Sequence, residues 1–368
     1  MFFYTLAIIA STFLAHLYQR LSSFKSDKQQ ISISRGFFFL ASFFILFLIS
    51  GLRVDVGSDY ESYIFWFHRI ADGATTYFEP GFVLLNHAVA SFTNDAQWLF
   101  VASSFITLLL IFTAIRKYSV NPALSVFLYS ALSFLFYSFN ATRQFIAVGI
   151  IFLAYGHMID RKWFKYMLYV LLAAAFHKTA LFMAGIYLII NLKFTKLQYL
   201  FVTLLASTSI IFREPLLTFM TSLYPMYKDN EDFLNVVAFS EVFISTSVIL
   251  LIVMIYYIKK GIMSLDNIKD RITFNSVFFI LLVHTGLAWI PAINRISLYL
   301  DIALILIIPL LLAKIKNTEW RYLFTIAMMI FYFVYTFISI GLNNSNNVLP
   351  YNSIFTYSDR SYVGGKLS

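Results

Sequence analysis

The sequence predicts an all-α, polytopic integral membrane protein with about twelve transmembrane helices, some of them short or broken. Of its 368 residues, 60% are hydrophobic and only 12% are charged, whereas a soluble domain is about 45–50% apolar and about 25% charged. The apolar runs are continuous over about 15–20 residues, which suits membrane helices about 30 Å long and not the short alternating segments of a membrane β-barrel. We therefore expect a single transmembrane domain that covers residues 1–368.

Twelve apolar stretches are candidate spans. The first begins at residue 1 without a basic n-region or an obvious small-residue cleavage site, so we interpret it as a retained span and not as a signal peptide. In chain order the candidates are roughly 3–19, 36–52, 97–115, 121–139, 142–159, 163–176, 178–191, 198–212, 242–258, 273–290, 294–312 and 322–341.

Short basic loops indicate the orientation, because cytoplasmic loops are enriched in lysine and arginine. The loop at 20–35 has four basic residues and one acidic residue, which places it in the cytoplasm and Arg53 at the outer end of the second span. The net charge of +9 is explained by such loops, so nucleic acid is not an expected partner. The sequence has no cysteine, which excludes disulfides and thiolate chemistry.

Two segments allow more than one topology. Residues 80–93 are apolar enough to span, but a span there would place the basic end of 97–115 outside. We interpret them as a re-entrant or interfacial piece of a long outer segment, 53–96. Residues 163–191 fit one long span or two short spans hinged at His177. The hairpin is preferred because it leaves every basic loop in the cytoplasm and both termini outside.

This topology brings four isolated ionisable residues to the outer face: Arg53, Arg143, His177 and Arg295. A charge at a span end is costly and is seldom kept without a partner or a task. Arg143 and Arg295 open predicted spans, where free helix N–H groups and a guanidinium fork suit phosphate oxygens. Snorkelling to lipid headgroups is the alternative. His177 is suited to take a proton from a hydroxyl near neutral pH, or it is a buried structural histidine.

Three carboxylates of the outer segment are further candidates. Asp55 and Asp59 either pair with Arg53 to stabilise the loop, or bind substrate, act as a base or hold a metal. Two aspartates four apart are weak support for a metal, and none is expected. Glu79 precedes Pro80 and Gly81, so it either caps the following short helix or has a function.

Two further structural predictions follow from spacing. Residues 60–71 have apolar side chains at helical spacing, which predicts a short helix on the outer membrane interface. His284 and Asp301 are about equally far from the 291–293 turn. They would lie at the same depth of an antiparallel hairpin, so we expect them to form a structural pair.

Several short motifs have a specific order and spacing. They are Gly51-Leu52-Arg53 followed by Val56-Gly57-Ser58-Asp59-Tyr60 and Tyr63, then Glu79-Pro80-Gly81-Phe82, Arg143-Gln144 with Ala147, Lys165 with Phe176-His177-Lys178-Thr179-Ala180, Asn294-Arg295 with Tyr299, and Pro350-Tyr351-Asn352-Ser353-Ile354-Phe355. Over nearly the whole chain this set resembles the EpsG family of Wzy-type polysaccharide polymerases. One departure is Lys178-Thr179, where the family more often has a small residue after the histidine.

The resemblance implies a glycosyltransferase of the bacterial plasma (inner) membrane with its active site facing outside. Its substrates would be donor and acceptor glycans on undecaprenyl diphosphate, joined into a surface polysaccharide such as O-antigen of lipopolysaccharide, capsule or exopolysaccharide. No nucleotide, metal or other cofactor is expected. The lipid bilayer, a chain-length regulator and a flippase of the same pathway are the expected partners.

The resemblance also suggests roles for residues. Arg143 and Arg295 would hold the diphosphate, and His177 would deprotonate the acceptor hydroxyl, with Asp59 or Glu79 positioning sugars or replacing His177 as base. The expected substrate-binding residues are Arg53, Asp55, Asp59, Tyr60, Tyr63, Glu79, Gln144, Asn294 and Tyr299.

Three rival functions remain at this point. A polysaccharide ligase or another lipid-carrier glycosyltransferase would use the same cationic residues to bind a diphosphate. A ligase is expected to have a larger outer loop than 213–241. A flippase for the lipid-linked oligosaccharide would need charges along a central path between pseudo-symmetric halves, and no repeat is visible. A membrane scaffold would leave the converging arginines unexplained.

Overall fold

The computed structural model describes residues 1–23, 29–223, 240–290 and 293–356. Within these ranges the protein is all-helical without a β-strand, and an isolated bridge pairs Arg53 with Ser353. The helices are α1 (Phe2–Ser23), α2 (Gln29–Gly51), α3 (Tyr60–Ala71), α4 (Pro80–Ala90), α5 (Gln97–Tyr118), α6 (Pro122–Ala131), α7 (Phe134–Asn140), α8 (Thr142–Leu153), α9 (Tyr155–Ile159), α10 (Trp163–Ala174), α11 (Phe182–Ile190), α12 (Lys196–Thr208), α13 (Arg213–Leu223), α14 (Glu241–Lys259), α15 (Ile268–His284), α16 (Ile293–Asp301), α17 (Leu304–Ala313) and α18 (Thr318–Thr336).

Several helices make this a multi-pass membrane protein. In the described ranges, five stretches are long and apolar enough to cross a membrane, or six if the bent pair α6–α7 is one span. The five are Phe2–Leu21, Gln97–Tyr118, Glu241–Lys259, Ile293–Ala313 and Thr318–Leu342. The predicted count of about twelve spans is not confirmed, because several predicted spans are helices shorter than the roughly 20 residues that a bilayer requires. Most of the predicted outer loop 213–241 lies outside the described residues.

A break in α6–α7 illustrates how a continuous apolar run becomes two short helices. Ser133 adopts the left-handed conformation with φ 65°, and the two helices are bent by 49°. α7 ends at Asn140, and α8 begins two residues later at Thr142. This turn therefore fixes the position of Arg143, the second residue of α8.

The segment 163–190 is a helical hairpin, as the charge argument predicted. α10 ends at Ala174, and His177 is in an extended conformation with φ −157° and ψ 113°. A 3₁₀ turn, Lys178–Leu181, then leads into α11, which packs back against α10. His177 therefore lies in the turn of the hairpin.

α3 and α4 form a second apolar cluster against the start of α5. The predicted helix 60–71 is confirmed as α3, and its buried face consists of Tyr60, Tyr63, Phe67 and Ile70. α4 has 11 residues and is about 16 Å long, too short to span. This length fits the interpretation of 80–93 as a re-entrant or interfacial piece.

The C-terminal segment 343–356 lies as a strap against the loop that follows α2. Val54 N donates to Asn352 O at 3.0 Å, Ile354 N donates to Leu52 O at 3.0 Å, and Gly57 N donates to Asn347 O at 2.9 Å. Gly57 has φ +101°, and a Cβ there would lie 2.5 Å from Asn140 Oδ1. Only glycine fits this position, which holds the loop against the end of α7.

The predicted pairing of His284 with Asp301 is confirmed. His284 Nε2 lies 3.1 Å from both carboxylate oxygens of Asp301, and both residues are buried. The pair joins the end of α15 to the end of α16, and the ring of Phe243 stacks on His284 with centroids 5.0 Å apart. The pair lies in the helix core, where a paired charge is the usual arrangement.

Candidate active site

The Glu79 carboxylate joins two other predicted site residues, Arg143 and His177. It is 8% exposed. Its Oε2 forms an ion pair with Nη1 of Arg143. Its Oε1 accepts the backbone N–H of Lys178 at 3.0 Å and lies 3.5 Å from Nδ1 of His177. Glu79, Arg143 and His177 are far apart in the sequence, and these contacts bring them into one cluster.

Glu79 reaches this cluster because α4 begins against the end of α10. It occupies the N-cap position of α4 in an extended conformation, but its side chain makes no capping hydrogen bond. Glu79 is therefore the N-cap residue, as the capping alternative predicted, but its carboxylate is not what caps the helix. Gly81 N donates to Ala175 O at 2.7 Å, and a Cβ on Gly81 would lie 2.7 Å from the same oxygen. The missing side chain lets α4 approach the His177 turn.

Arg143 is held at the second position of α8. Its guanidinium lies over the ring of Phe78, 4.6 Å from the centroid, and 5.9 Å from the centroid of Tyr77. Tyr63 from α3 is buried beside it, and burial raises the pKa of this phenol although the Arg143 charge opposes the effect. The Arg143 side chain keeps 15% of its surface exposed.

Arg295 flanks the same cluster from α16. Its backbone oxygen accepts a short hydrogen bond from Nε2 of Gln144, which ties α16 to the start of α8. The Arg295 side chain is exposed, and its charge is close enough to act electrostatically on Asp59 and His177. The structure thus brings Arg295 and Arg143 to the same region with Gln144 between their helices.

Asp59 and Tyr299 lie at the margins of the cluster. Asp59 is exposed at the start of α3, and both Arg143 and Arg295 act electrostatically on it. The Tyr299 hydroxyl is 3.2 Å from the hydroxyl of Thr179, which joins α16 to the turn after His177. Asn294 is exposed next to Arg295.

Arg53 is buried against the end of α7, next to the turn that leads to Arg143. It is 1% exposed, and it donates to the backbone oxygens of Ser50 and Phe139, the latter at 3.1 Å. Its guanidinium lies 4.7 and 4.9 Å from the ring centroids of Phe139 and Phe100. These contacts hold the turn between α7 and α8, so we interpret Arg53 as a supporting residue and not as a substrate contact.

Two other predicted binding residues, Tyr60 and Asp55, lie in the part of the fold that supports the site. The Tyr60 hydroxyl donates to Oε1 of Gln97 at 3.0 Å, and its ring stacks on Phe100 with centroids 4.4 Å apart. Asp55 is exposed, with φ 53° in the loop under the strap. Tyr60 therefore packs α3 against α5, and its contacts do not include the Glu79 cluster.

The electrostatics of the cluster keep Glu79 ionised. Burial alone would raise its pKa. The imidazole of His177 beside it, the Arg143 charge and the Lys178 N–H together outweigh burial and lower the pKa from its ordinary value of 4.5 to about 2. A carboxylate with so low a pKa is a weak base at neutral pH. The described residues contain no group of three or more histidine, aspartate or glutamate side chains able to hold a metal ion.

Some members of the site were not predicted. The Lys178 backbone N–H and the Phe78 ring contact Glu79 and Arg143 directly. Phe78 adjoins Glu79 in the sequence, and an aromatic residue next to a lone carboxylate was the available signal. The contact of Lys178 is made by its backbone N–H and depends only on the geometry of the turn. The type of residue at this position therefore could not have predicted it.

Fold and site together define a polytopic helical membrane protein with a cluster of two arginines, a histidine and a buried carboxylate. The sequence model of the EpsG family matches residues 36–353, so the chain belongs to the EpsG family. That range contains every residue of the cluster. No curated protein and no solved structure matches the chain. Membership in this family indicates a membrane protein of polysaccharide biosynthesis.

Proposed function

We propose that this protein is a Wzy-type polymerase that joins oligosaccharide repeat units carried on undecaprenyl diphosphate. The observation that supports this most directly is that Glu79 joins Arg143 to His177, while Gln144, the neighbour of Arg143, ties Arg295 to the start of the same helix. Two arginines suit a diphosphate, and a histidine suits the transfer of a hydroxyl proton. The reaction takes place at the outer face of the bacterial inner membrane.

In this mechanism the arginines act on the leaving group. The bond between the anomeric carbon and the diphosphate oxygen breaks, and the electron pair leaves with the diphosphate. Arg143 and Arg295 stabilise the negative charge that develops there. The energy comes from the glycosyl-diphosphate bond, so the reaction needs no nucleotide.

The acceptor side of the reaction uses the histidine. A sugar hydroxyl of the second lipid-linked unit attacks the anomeric carbon and gives up its proton to His177. Asp59, which is exposed near both arginines, positions the sugars. A ligase or another lipid-carrier glycosyltransferase would use the same cations, and the polymer formed distinguishes them from a polymerase.

The test is a gel profile of the surface polysaccharide from a strain that lacks this gene. The strain is complemented with wild type, Arg143→Ala, Arg143→Lys or the control Arg69→Ala. Arg69 is an exposed arginine in the last turn of α3. Wild type and the control are expected to restore the long ladder, whereas Arg143→Ala leaves a single capped repeat unit.

The other outcomes distinguish the rivals. Full polymer length with Arg143→Lys would contradict a bidentate contact to the diphosphate, because lysine has no planar fork. Loss of every capped form in the deletion strain, with lipid-linked material trapped inside, would indicate a flippase or an earlier transferase. Finished polymer that is made but not attached to its final acceptor would indicate a ligase.

A further inference from the structure

His177 presents its two ring nitrogens to different surroundings. Nδ1 lies 3.5 Å from Oε1 of Glu79. Both ring nitrogens are buried, and neither has a close hydrogen-bond partner within the part of the chain that the structure describes; Nδ1 is the one that lies beside the carboxylate. The residue as a whole is 4% exposed. A buried polar atom left unpaired is costly, so such an atom in a site points to a ligand group that completes it.

Glu79 cannot easily be the base itself. Both of its oxygens are engaged, Oε2 with Arg143 and Oε1 with the Lys178 N–H and His177. Its pKa is lowered to about 2, so a proton on this carboxylate would leave again at neutral pH. A fixed, ionised carboxylate next to an imidazole is instead suited to hold the ring and to stabilise its charged form.

We infer that Glu79 is a positioning residue that holds His177 as the Nδ1–H tautomer, so that Nε2 is the atom that receives the proton of the acceptor hydroxyl. The inference rests on the proposed function and assigns one of its steps. The hydroxyl O–H bond breaks, its proton goes to Nε2, and its oxygen bonds to the anomeric carbon as the diphosphate leaves. The proton later passes from Nε2 to solvent.

The same carboxylate also couples the two halves of the reaction. Glu79 contacts Arg143 through Oε2 and His177 through Oε1. The cation that stabilises the leaving group and the base that activates the acceptor are therefore set relative to each other by one side chain. The other charges that act on His177 are Arg143 and Arg295, with Lys178 as its neighbour in the chain and the Tyr299 hydroxyl beyond Thr179.

The first measurement is the tautomer of His177 in the wild-type protein. Protein labelled with ¹⁵N-histidine is placed in lipid nanodiscs, and the His177 signals are assigned by their absence in His177→Gln. We expect a protonated Nδ1 and an unprotonated Nε2 at neutral pH. A protonated Nε2 would overturn the inference. This measurement requires neither an active enzyme nor a variant at position 79.

The second measurement is the pH–rate profile of glycosyl transfer for wild type, Glu79→Gln and the control Glu61→Gln. The substrate is the lipid-linked repeat unit extracted from the deletion strain. Glu61 is an exposed carboxylate of α3. We expect Glu79→Gln to lower kcat by at least about 10²-fold, the usual contribution of general base catalysis. KM should not rise, because Arg143 loses only a competing anion.

The pH–rate profile distinguishes a positioning role of Glu79 from a merely structural one. The acid limb should move to lower pH in Glu79→Gln, because the imidazolium loses the anion beside it while Arg143 and Arg295 remain. An unchanged acid limb would overturn the inference. If wild-type protein transfers no sugar from the lipid-linked unit, the proposed function fails, whatever tautomer the nitrogen signals show.

Discussion

The rings of Tyr166 and Tyr187 lie with their centroids 4.8 Å apart, although they stand on opposite sides of His177 in the chain. Tyr166 is near the start of α10, and Tyr187 is near the end of α11. A single straight helix would separate these residues by about 30 Å at 1.5 Å per residue. The contact therefore requires the two helices to run side by side in opposite directions, with His177 at the turn.

Chemical labelling of single cysteines tests this hairpin in the membrane. The sequence has no native cysteine, so Lys162→Cys and Lys193→Cys can each be read alone. Both positions are exposed at the two ends of the hairpin. We expect a membrane-impermeant maleimide to label neither in intact spheroplasts and both after permeabilisation.

The labelling has a matched outer control. Ser91 follows α4 and is exposed, so Ser91→Cys is expected to react in intact spheroplasts. If Lys162→Cys and Lys193→Cys react from opposite sides, residues 163–191 cross as one span. Glu79 and Arg143 would then stay on the outer side while Arg295 moved to the cytoplasmic side, so the two arginines could not serve one site.

How far the sequence predicts this protein depends on the range of the interactions. Helical spacing predicted α3 and its buried face, and charge balance predicted the hairpin at His177. The span count was not confirmed, because a break such as that at Ser133 comes from backbone conformation and leaves hydropathy unchanged. The contacts of Glu79 with Arg143 and His177 were not predicted, since these partners come from α8 and the α10–α11 turn and meet only in the tertiary structure.

Arg53 and Arg295 are expected to fail in different ways when replaced by alanine. Arg53 is 1% exposed and donates to backbone oxygens at the end of α2 and α7. Its loss removes a donor from Ser50 O and leaves Phe139 O with only the weaker donor Thr142 Oγ1 at 3.4 Å, and a buried acceptor left unpaired costs about 1–3 kcal/mol. Arg295 is exposed, so its loss should leave the fold intact and shorten the polymer.

The two outcomes are measured on the same samples. Thermal unfolding in detergent reports the fold, and the polysaccharide ladder from the complemented strain reports function. We expect a lower Tm for Arg53→Ala and an unchanged Tm with a collapsed ladder for Arg295→Ala. An unchanged Tm together with a collapsed ladder for Arg53→Ala would return Arg53 to the substrate-binding residues.

Glu79 is expected to make stability depend on acid pH. Its folded-state pKa of about 2 lies below the ordinary value of 4.5. Its ionised form is thus favoured by folding. The resulting stabilisation is fully present above the ordinary value and is lost as the pH falls from 4.5 towards 2. Glu79→Gln lacks the ionisable group and should lack this part of the dependence.

The measurement is the difference in Tm between wild type and Glu79→Gln across this range of pH, with Glu61→Gln as the control for an exposed carboxylate. The difference should be constant above the ordinary pKa and should shrink below it. A difference that stays constant down to the lowest pH would mean that Glu79 is not held ionised by Arg143 and His177.

The buried pair His284–Asp301 allows a double-mutant cycle within the helix core. Its atoms are 3.1 Å apart, and both side chains are almost fully enclosed. Replacing one partner by leucine leaves a buried group without its counter-charge, which typically costs about 3–5 kcal/mol. Replacing both removes the charge and the need for it together, so His284→Leu with Asp301→Leu should be far less destabilised than the sum of the single variants.

Unfolding in detergent of the four proteins measures the coupling between the two residues. The exposed pair Lys162–Asp160 serves as control, with atoms 2.8 Å apart and an expected coupling of about 0–1 kcal/mol. Additive effects at 284 and 301 would show that the two side chains do not stabilise each other. Strong coupling combined with a normal polysaccharide ladder in the double variant would establish a structural pair, because a residue required for glycosyl transfer cannot be replaced by leucine without loss of polymer.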